Sequence, residues 1–198
     1  EQADALGFVI RLIGIADTET DPSGEETLFQ RVCPYLVSRD HPLATVAGAT
    51  NAVVAEGNYS GRLLFEGAGA GDGPTASAVV ADLVDIARGI TGAPLGVPAD
   101  MLQPMPKADA GHRVARDYLR FVVADRPGVL AEITAAMRDA GVSIESLIQK
   151  GRPEEGGEVT VSIVTHDGPE ANVDRALELL EGSDSLTEAP LVLQLLEN

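Results

Sequence analysis

Hydrophobic and polar positions along this chain fall into two patterned blocks separated by an unpatterned stretch. In the first block, Phe8–Ile15 is a continuous apolar run closed off by the polar Asp17–Glu26 stretch, the pattern of a buried strand. Leu28–Val37 mixes β-branched and aromatic residues. Pro34 lacks an N–H for a ladder and predicts an edge or bulge position there. Asn51–Ala55 and Arg62–Phe65 predict a hairpin turning around Gly57 and Asn58. The glycine-rich stretch Gly67–Gly73 follows, and then Thr75–Arg88, a helix stopped by Gly89. Val79, Leu83, Ile86 and Ala87 recur at helical spacing and predict one buried face.

The second block reads βαββαβ. Tyr118–Ala124 is a strand, and Val129–Ala140 is a helix with Val129, Ile133, Ala136 and Met137 on one face and Gly141 as its stop. Val142–Gln149 and Glu158–Thr165 are strands joined by the turn-rich Gly151–Gly157 segment. A helix from Pro169 to Leu180 and a strand over Leu191–Leu196 complete the unit. Four antiparallel strands backed by two helices make the ferredoxin-like arrangement, so the chain is α+β. Between the blocks, residues 91–116 hold Pro94, Pro98, Pro104 and Pro106 with Gly92, Gly96 and Gly111, and show no sustained period. This composition weakens both helix and sheet and predicts a linker. The organisation is therefore 1–90, 91–116 and 117–198.

Composition narrows the function classes. The 198 residues are 44% hydrophobic but only 4% aromatic, which predicts an aliphatic core. With 14 basic against 31 acidic side chains the net charge is −17, and such a surface repels phosphate backbones and anionic lipid. Nucleic acid and membrane are thus not expected partners. Cys33 stands alone, and His41, His112 and His166 lack metal-ligand spacing, so neither a disulfide nor a metal site is expected. No run approaches the length of a membrane span, no signal peptide is visible, and a cytoplasmic location is expected. The chain opens at Glu1 and runs almost at once into an apolar stretch, which reads as a cut through something larger.

Two segments are candidates for chemistry. Glycines between a strand and a helix, as in Gly67–Gly73, let backbone N–H groups turn towards an anion at the positive helix end. The dinucleotide fingerprint fits neither register, because its third glycine falls on Asp72 or on Pro74. The same glycines also suit a tight connection with no ligand. In Asp125-Arg126-Pro127-Gly128-Val129-Leu130, Gly128 permits a close backbone approach and the helix N–H groups can take a carboxylate, such as that of an amino-acid effector. An ordinary strand-to-helix turn has the same residues. No catalytic constellation is present: the two lysines, Lys107 and Lys150, stand in the linker and at a strand end, and Asp82 and Asp85 suit a solvated helix face.

Two stretches carry a family resemblance. Gly67-Ala68-Gly69-Ala70-Gly71, followed by Pro74–Asp82, closely resembles the end of the homoserine dehydrogenase core. Leu6–Ala16, Asp40-His41-Pro42-Leu43-Ala44 and Asn51-Ala52-Val53 resemble the same family in the same order. The second block, with Asp125–Leu130, resembles the ACT domain that many bacterial members carry at the C-terminus.

The resemblance implies NAD(P)-dependent interconversion of aspartate 4-semialdehyde and homoserine, with threonine as feedback effector. It implies that Gly71, with Gly69, lies against the dinucleotide, and that Asp125, Gly128, Val129 and Leu130 form the effector site. It also implies a homodimer through the first-block sheet, with ACT–ACT pairing as a further contact. Residues 1–90 would then be the C-terminal part of the enzyme core, its substrate and dimerisation region, and 117–198 the ACT regulatory domain. The family's N-terminal dinucleotide-binding half, its substrate carboxylates and its proton-transferring lysine have no counterpart in this sequence. The chain is thus expected to be a part that is not competent alone. A stand-alone amino-acid-sensing dimer without catalysis is the competing reading.

Overall fold

The structure, a computed structural model, describes residues 2–21, 23–90, 92–93, 96–151 and 157–196. The elements in order are α1 (Gln2–Ala5), β1 (Phe8–Thr20), β2 (Glu26–Ser38), β3 (Thr50–Gly57), β4 (Gly61–Ala68), α2 (Asp72–Ala87), β5 (Val114–Ala115), β6 (Asp117–Ala124), α3 (Val129–Asp139), β7 (Ile144–Lys150), β8 (Glu158–Thr165), β9 (Gly168–Pro169), α4 (Glu170–Leu179) and β10 (Leu191–Leu196). They form two compact units, one of residues 1–38 with 106–198 and one of residues 39–105.

The first unit is built on a six-stranded sheet of order β1-β2-β10-β6-β8-β7. Its β10-β6-β8-β7 part is antiparallel throughout, with α3 and α4 connecting the strands in the ferredoxin-like sequence. The period-2 alternation of β6 and β8 sends Leu119, Phe121, Val161 and Ile163 to one face. There they meet Ile133 and Met137 of α3 and Ala176 of α4, all fully buried. The four residues assigned to one face of α3 are the four it buries. Gly141 (φ 78°) ends that helix in the left-handed conformation, where its N–H takes the carbonyl of Arg138 at 3.0 Å. Tyr118, Val164 and Leu195 alternate with the helix-facing residues and build a second cluster with Leu36, backed by Leu6 and Phe8. Residues 152–156 of the segment joining β7 to β8 lie outside the described residues.

The packing cuts across the blocks read from the sequence. β1 and β2 pair antiparallel over their whole length, from Phe8 opposite Ser38 to Thr20 opposite Glu26. β2 then adds parallel to β10, with Tyr35, Leu36 and Val37 opposite Gln194, Leu195 and Leu196. Residues 8–38 therefore share one sheet with 117–196. Pro34 falls just before the β10 pairing begins, where a missing N–H costs no ladder bond on that side. Residues 106–116 of the linker also join this unit: Leu28 N–H donates to Pro106 O at 2.8 Å, and β5 pairs with β9.

The second unit contains the β3–β4 hairpin, with Thr50 opposite Ala68 and Gly57 opposite Gly61, and the helix α2. The sequence predicted a buried face on α2, and the structure corrects this. Val79, Leu83 and Ile86 are 54%, 59% and 63% exposed, and no residue of the helix is buried. The spacing of apolar positions shows which face would be covered but not what covers it. The strands of the hairpin are themselves exposed at Val53, Leu63 and Phe65.

Candidate functional site

The glycine-rich connection leaves β4 at Ala68 and enters α2 at Asp72. Gly71 is the N-cap of α2 with φ 115° and ψ 159°, a conformation in which a Cβ is strained, and no side chain caps the helix. Its carbonyl accepts from Thr75 N–H at 3.1 Å. Pro74 contributes no N–H, so the amides of Asp72 and Gly73 are the ones left for an anion. The Asp72 carboxylate in the first turn opposes that anion. Gly69 answers a different constraint: a Cβ there would stand 1.9 Å from Asn51 Nδ2. The backbone thus favours glycine at Gly71 through its dihedrals, whereas a Cβ at Gly69 would force the Asn51 side chain of the paired strand to move. In the same unit, His41 Nδ1 accepts from Leu43 N–H at 3.1 Å, and burial, then the nearby Arg62, holds the imidazole below its usual pKa.

The second candidate turn joins β6 to α3. Asp125, Arg126, Pro127 and Gly128 are exposed, Val129 is buried at 4% exposure, and Leu130 is 36% exposed. Gly128 is the N-cap in the left-handed region (φ 99°), again without a side-chain cap, so the first amides of α3 point out of the turn. Asp125 N–H is bound to Gly157 O at 3.0 Å. A network that sequence reading missed fixes this turn. Arg126 donates to Ser185 Oγ at 3.1 Å, and Ser183 and Ser185 both donate to the Glu132 carboxylate. These two hydroxyls hold Glu132 below the ordinary carboxylate pKa, with a smaller contribution from Arg126. The polar run Gly182–Ser185 was the only local signal for it.

A third cluster lies where β2 meets β10. Gln194 stands opposite Tyr35 on one side and Asp117 on the other, so the three share a row across the sheet. Arg31 donates to both oxygens of Glu170, at 3.0 and 2.7 Å, and to Gln194 Oε1 at 3.0 Å. Its guanidinium also lies 4.9 Å from the Phe29 ring centroid, and that of Arg113 lies 4.1 Å away. Burial, together with Cys33, pushes the Tyr35 hydroxyl up to about 12.

Asp117 is 3% exposed, and burial, then the charges of Glu170 and Asp174, pushes its carboxyl from 3.8 up to about 6. The folded chain therefore keeps a proton over a range in which the unfolded chain has released it. Stability should fall as pH rises from about 4 towards 6 and then level off. Urea midpoints measured across that range should show this slope in the native chain and lose it in Asp117→Asn; equal slopes would refute it.

Among the described residues no group of three or more His, Cys, Asp or Glu is placed to hold a metal ion. No helix there is long and apolar enough to cross a membrane.

Comparison with known proteins matches both blocks. Residues 1–84 match the homoserine dehydrogenase family and residues 118–182 the ACT domain. The homoserine dehydrogenase of Synechocystis is 40% identical over 203 residues, covering 98% of this chain and 46% of that protein. That of Mycobacterium tuberculosis is 38% identical over 196 residues, covering 98% and 44%. The crystal structure of a homoserine dehydrogenase from Thiobacillus denitrificans superposes with a TM-score of 0.82 at 35% identity, covering 99% of this chain and 44% of that one. Over nearly its whole length the chain is similar to the C-terminal part of homoserine dehydrogenases. It spans slightly less than half the length of the homoserine dehydrogenases it matches. The match brings the Gly67–Gly73 connection into the homoserine dehydrogenase segment and the Asp125–Leu130 turn into the ACT segment, at the two helix N-termini described above.

Proposed function

We propose that this chain is the dimer-forming and regulatory C-terminal portion of an NAD(P)-dependent homoserine dehydrogenase, in which the ACT domain takes an amino-acid effector, threonine. The observation that carries this reading is identity of 35–40% over nearly the whole chain to proteins of that name. When bound, NAD(P)H supplies the hydride that reduces aspartate 4-semialdehyde to homoserine.

The residues here suit one edge of such a cofactor site. Gly71 and Gly69 keep side chains away from the approach, and the uncapped amides of Asp72 and Gly73 face it. Among the described residues no lysine or carboxylate pair converges there, so this reading assigns proton transfer and the main dinucleotide cradle to the rest of the enzyme. In the ACT domain, the uncapped amides of Val129 and Leu130 would take the effector carboxylate, with Gly128 leaving room for it and Asp125 beside it for the ammonium. Apolar exposure at Ile10, Leu12 and Val32 of the β1–β2 ribbon, and at Val53 and Phe65 of the hairpin, supports pairing of two copies through these strands.

Turnover tests the reading directly. The 198-residue chain alone should leave NADPH unoxidised with aspartate 4-semialdehyde. The same chain fused behind a homoserine dehydrogenase dinucleotide-binding half should oxidise it, and threonine should inhibit. Turnover by the chain alone would overturn the proposal. Threonine saturation by calorimetry, with no turnover in the fusion, would instead establish a stand-alone sensor.

A further inference from the structure

Between β2, β10 and the first turns of α4 lies a cavity of about 360 Å³, lined by Arg31, Pro34, Asp117, Glu170, Asp174 and Val192 among others. It has room for several waters, each occupying about 30 Å³ in the liquid. Asp117 is 97% buried by exposure, and among the described residues no hydrogen bond reaches its carboxylate; only its backbone N–H is satisfied, by Thr165 Oγ1 at 3.0 Å. A buried carboxylate without a donor calls for a proton or a cation.

The charges around it decide which kind of ligand fits. Glu170 and Asp174 add two further carboxylates. Arg31, the one basic residue in the lining, is already committed to both oxygens of Glu170 and to Gln194. An anion would meet three carboxylates and, among the described lining residues, no cation other than the committed Arg31, and a zwitterion would bring its own carboxylate into the same field. A bare metal ion lacks the ligand set, since these acids are not grouped to hold one. Pro34, Val173 and Val192 offer apolar contact beside the carboxylates.

We propose that this cavity binds a small organic cation, a protonated primary amine with a short apolar body and no carboxylate. The ammonium donates to Asp117, with Asp174 adding attraction from the rim, and the alkyl part rests on Val173 and Val192. The site is separate from the Asp125–Leu130 turn. Asp117 begins β6 and Asp125 follows its end, roughly 26 Å further along at about 3.3 Å per residue. The proposal stands whether or not that turn takes threonine. Because β2, β10 and α4 all line the cavity, the amine holds together the junction of the β1–β2 ribbon with the ACT sheet.

The test uses n-butylammonium with the 198-residue chain at pH 8, followed by calorimetry and by thermal unfolding. Saturation at one amine per chain is expected, with a raised Tm. Asp117→Asn, which removes a buried charge and should fold, is expected to weaken binding at least about tenfold. Asp174→Asn, at an exposed position, is expected to weaken it less. Affinity should also fall as pH drops through the range in which Asp117 takes up a proton, the other titratable groups facing it being Arg31, Cys33 and Tyr35 from β2 and Glu170 and Asp174 from α4. Failure to saturate, unchanged affinity in Asp117→Asn, or equal binding of the zwitterion 4-aminobutyrate would each overturn the proposal.

Discussion

Gly71→Val, in a protein that also carries a dinucleotide-binding half, is expected to lower NADPH-dependent turnover by about 10²-fold or more. The φ of 115° and ψ of 159° at this residue place it in a region open essentially to glycine, where a side chain costs about 1–3 kcal/mol of strain. Valine adds β-branching to that strain, and the backbone has to move to relieve it. The movement falls on the N-terminus of α2, whose free amides are the proposed contact with the cofactor. Gly67 gives the control within the same loop. A Cβ there meets nothing within 4 Å and its φ lies outside the left-handed region, so Gly67→Ala should keep near-native turnover. Steady-state kinetics on the two variants, with circular dichroism as the check on folding, separates the cases. Near-native turnover in Gly71→Val would remove this loop from the cofactor site.

Phe121→Ala should give the largest loss of stability, about 3–5 kcal/mol. Phe121 is fully buried, pairs with Val161 across β6 and β8, and belongs to the cluster of Ile133, Met137 and Ala176 beneath the two helices. Interiors this well packed relax only partly around a missing ring, so the cavity term adds to the lost transfer energy. Set against a usual folding stability of about 5–15 kcal/mol, the loss leaves the unit close to unfolding. Leu179→Ala on α4, where the side chain is 54% exposed, should change stability by only about 0.5 kcal/mol. Urea unfolding read by far-ultraviolet circular dichroism compares the two. A Phe121→Ala loss no greater than that of Leu179→Ala would mean the cluster is not the core.

The α3 helix shows why the second block was readable. Its apolar spacing, the glycine before it and Gly141 after it are local signals, and each leaves a direct mark on the backbone. The alternation in β6 and β8 is local in the same way. The pairing of β2 with β10 is not, because it joins Tyr35 to Gln194 across most of the chain and neither strand encodes its neighbour. The Arg31, Asp117, Glu170 and Gln194 cluster was invisible for the same reason: each of the four looks like an ordinary surface polar residue until the sheet brings them together. Gly71 could be singled out from resemblance, but its dihedrals and the clash awaiting a Cβ at Gly69 emerge only when the loop is set against Asn51. The exposed face of α2 marks another boundary, since periodicity gives a stripe its width and not its partner.

The parallel junction of β2 with β10 bears on how such a regulator could be exchanged between enzymes. A gene cut anywhere in 91–116 would treat the ACT domain as a detachable cassette. The graft would then carry β10 with its outer edge stripped of the N–H and C=O groups of Tyr35–Val37, and would leave Glu170 without Arg31. A bare edge strand invites pairing with other chains. A transplant that keeps this edge paired would have to bring the β1–β2 ribbon as well, two pieces from distant parts of the gene.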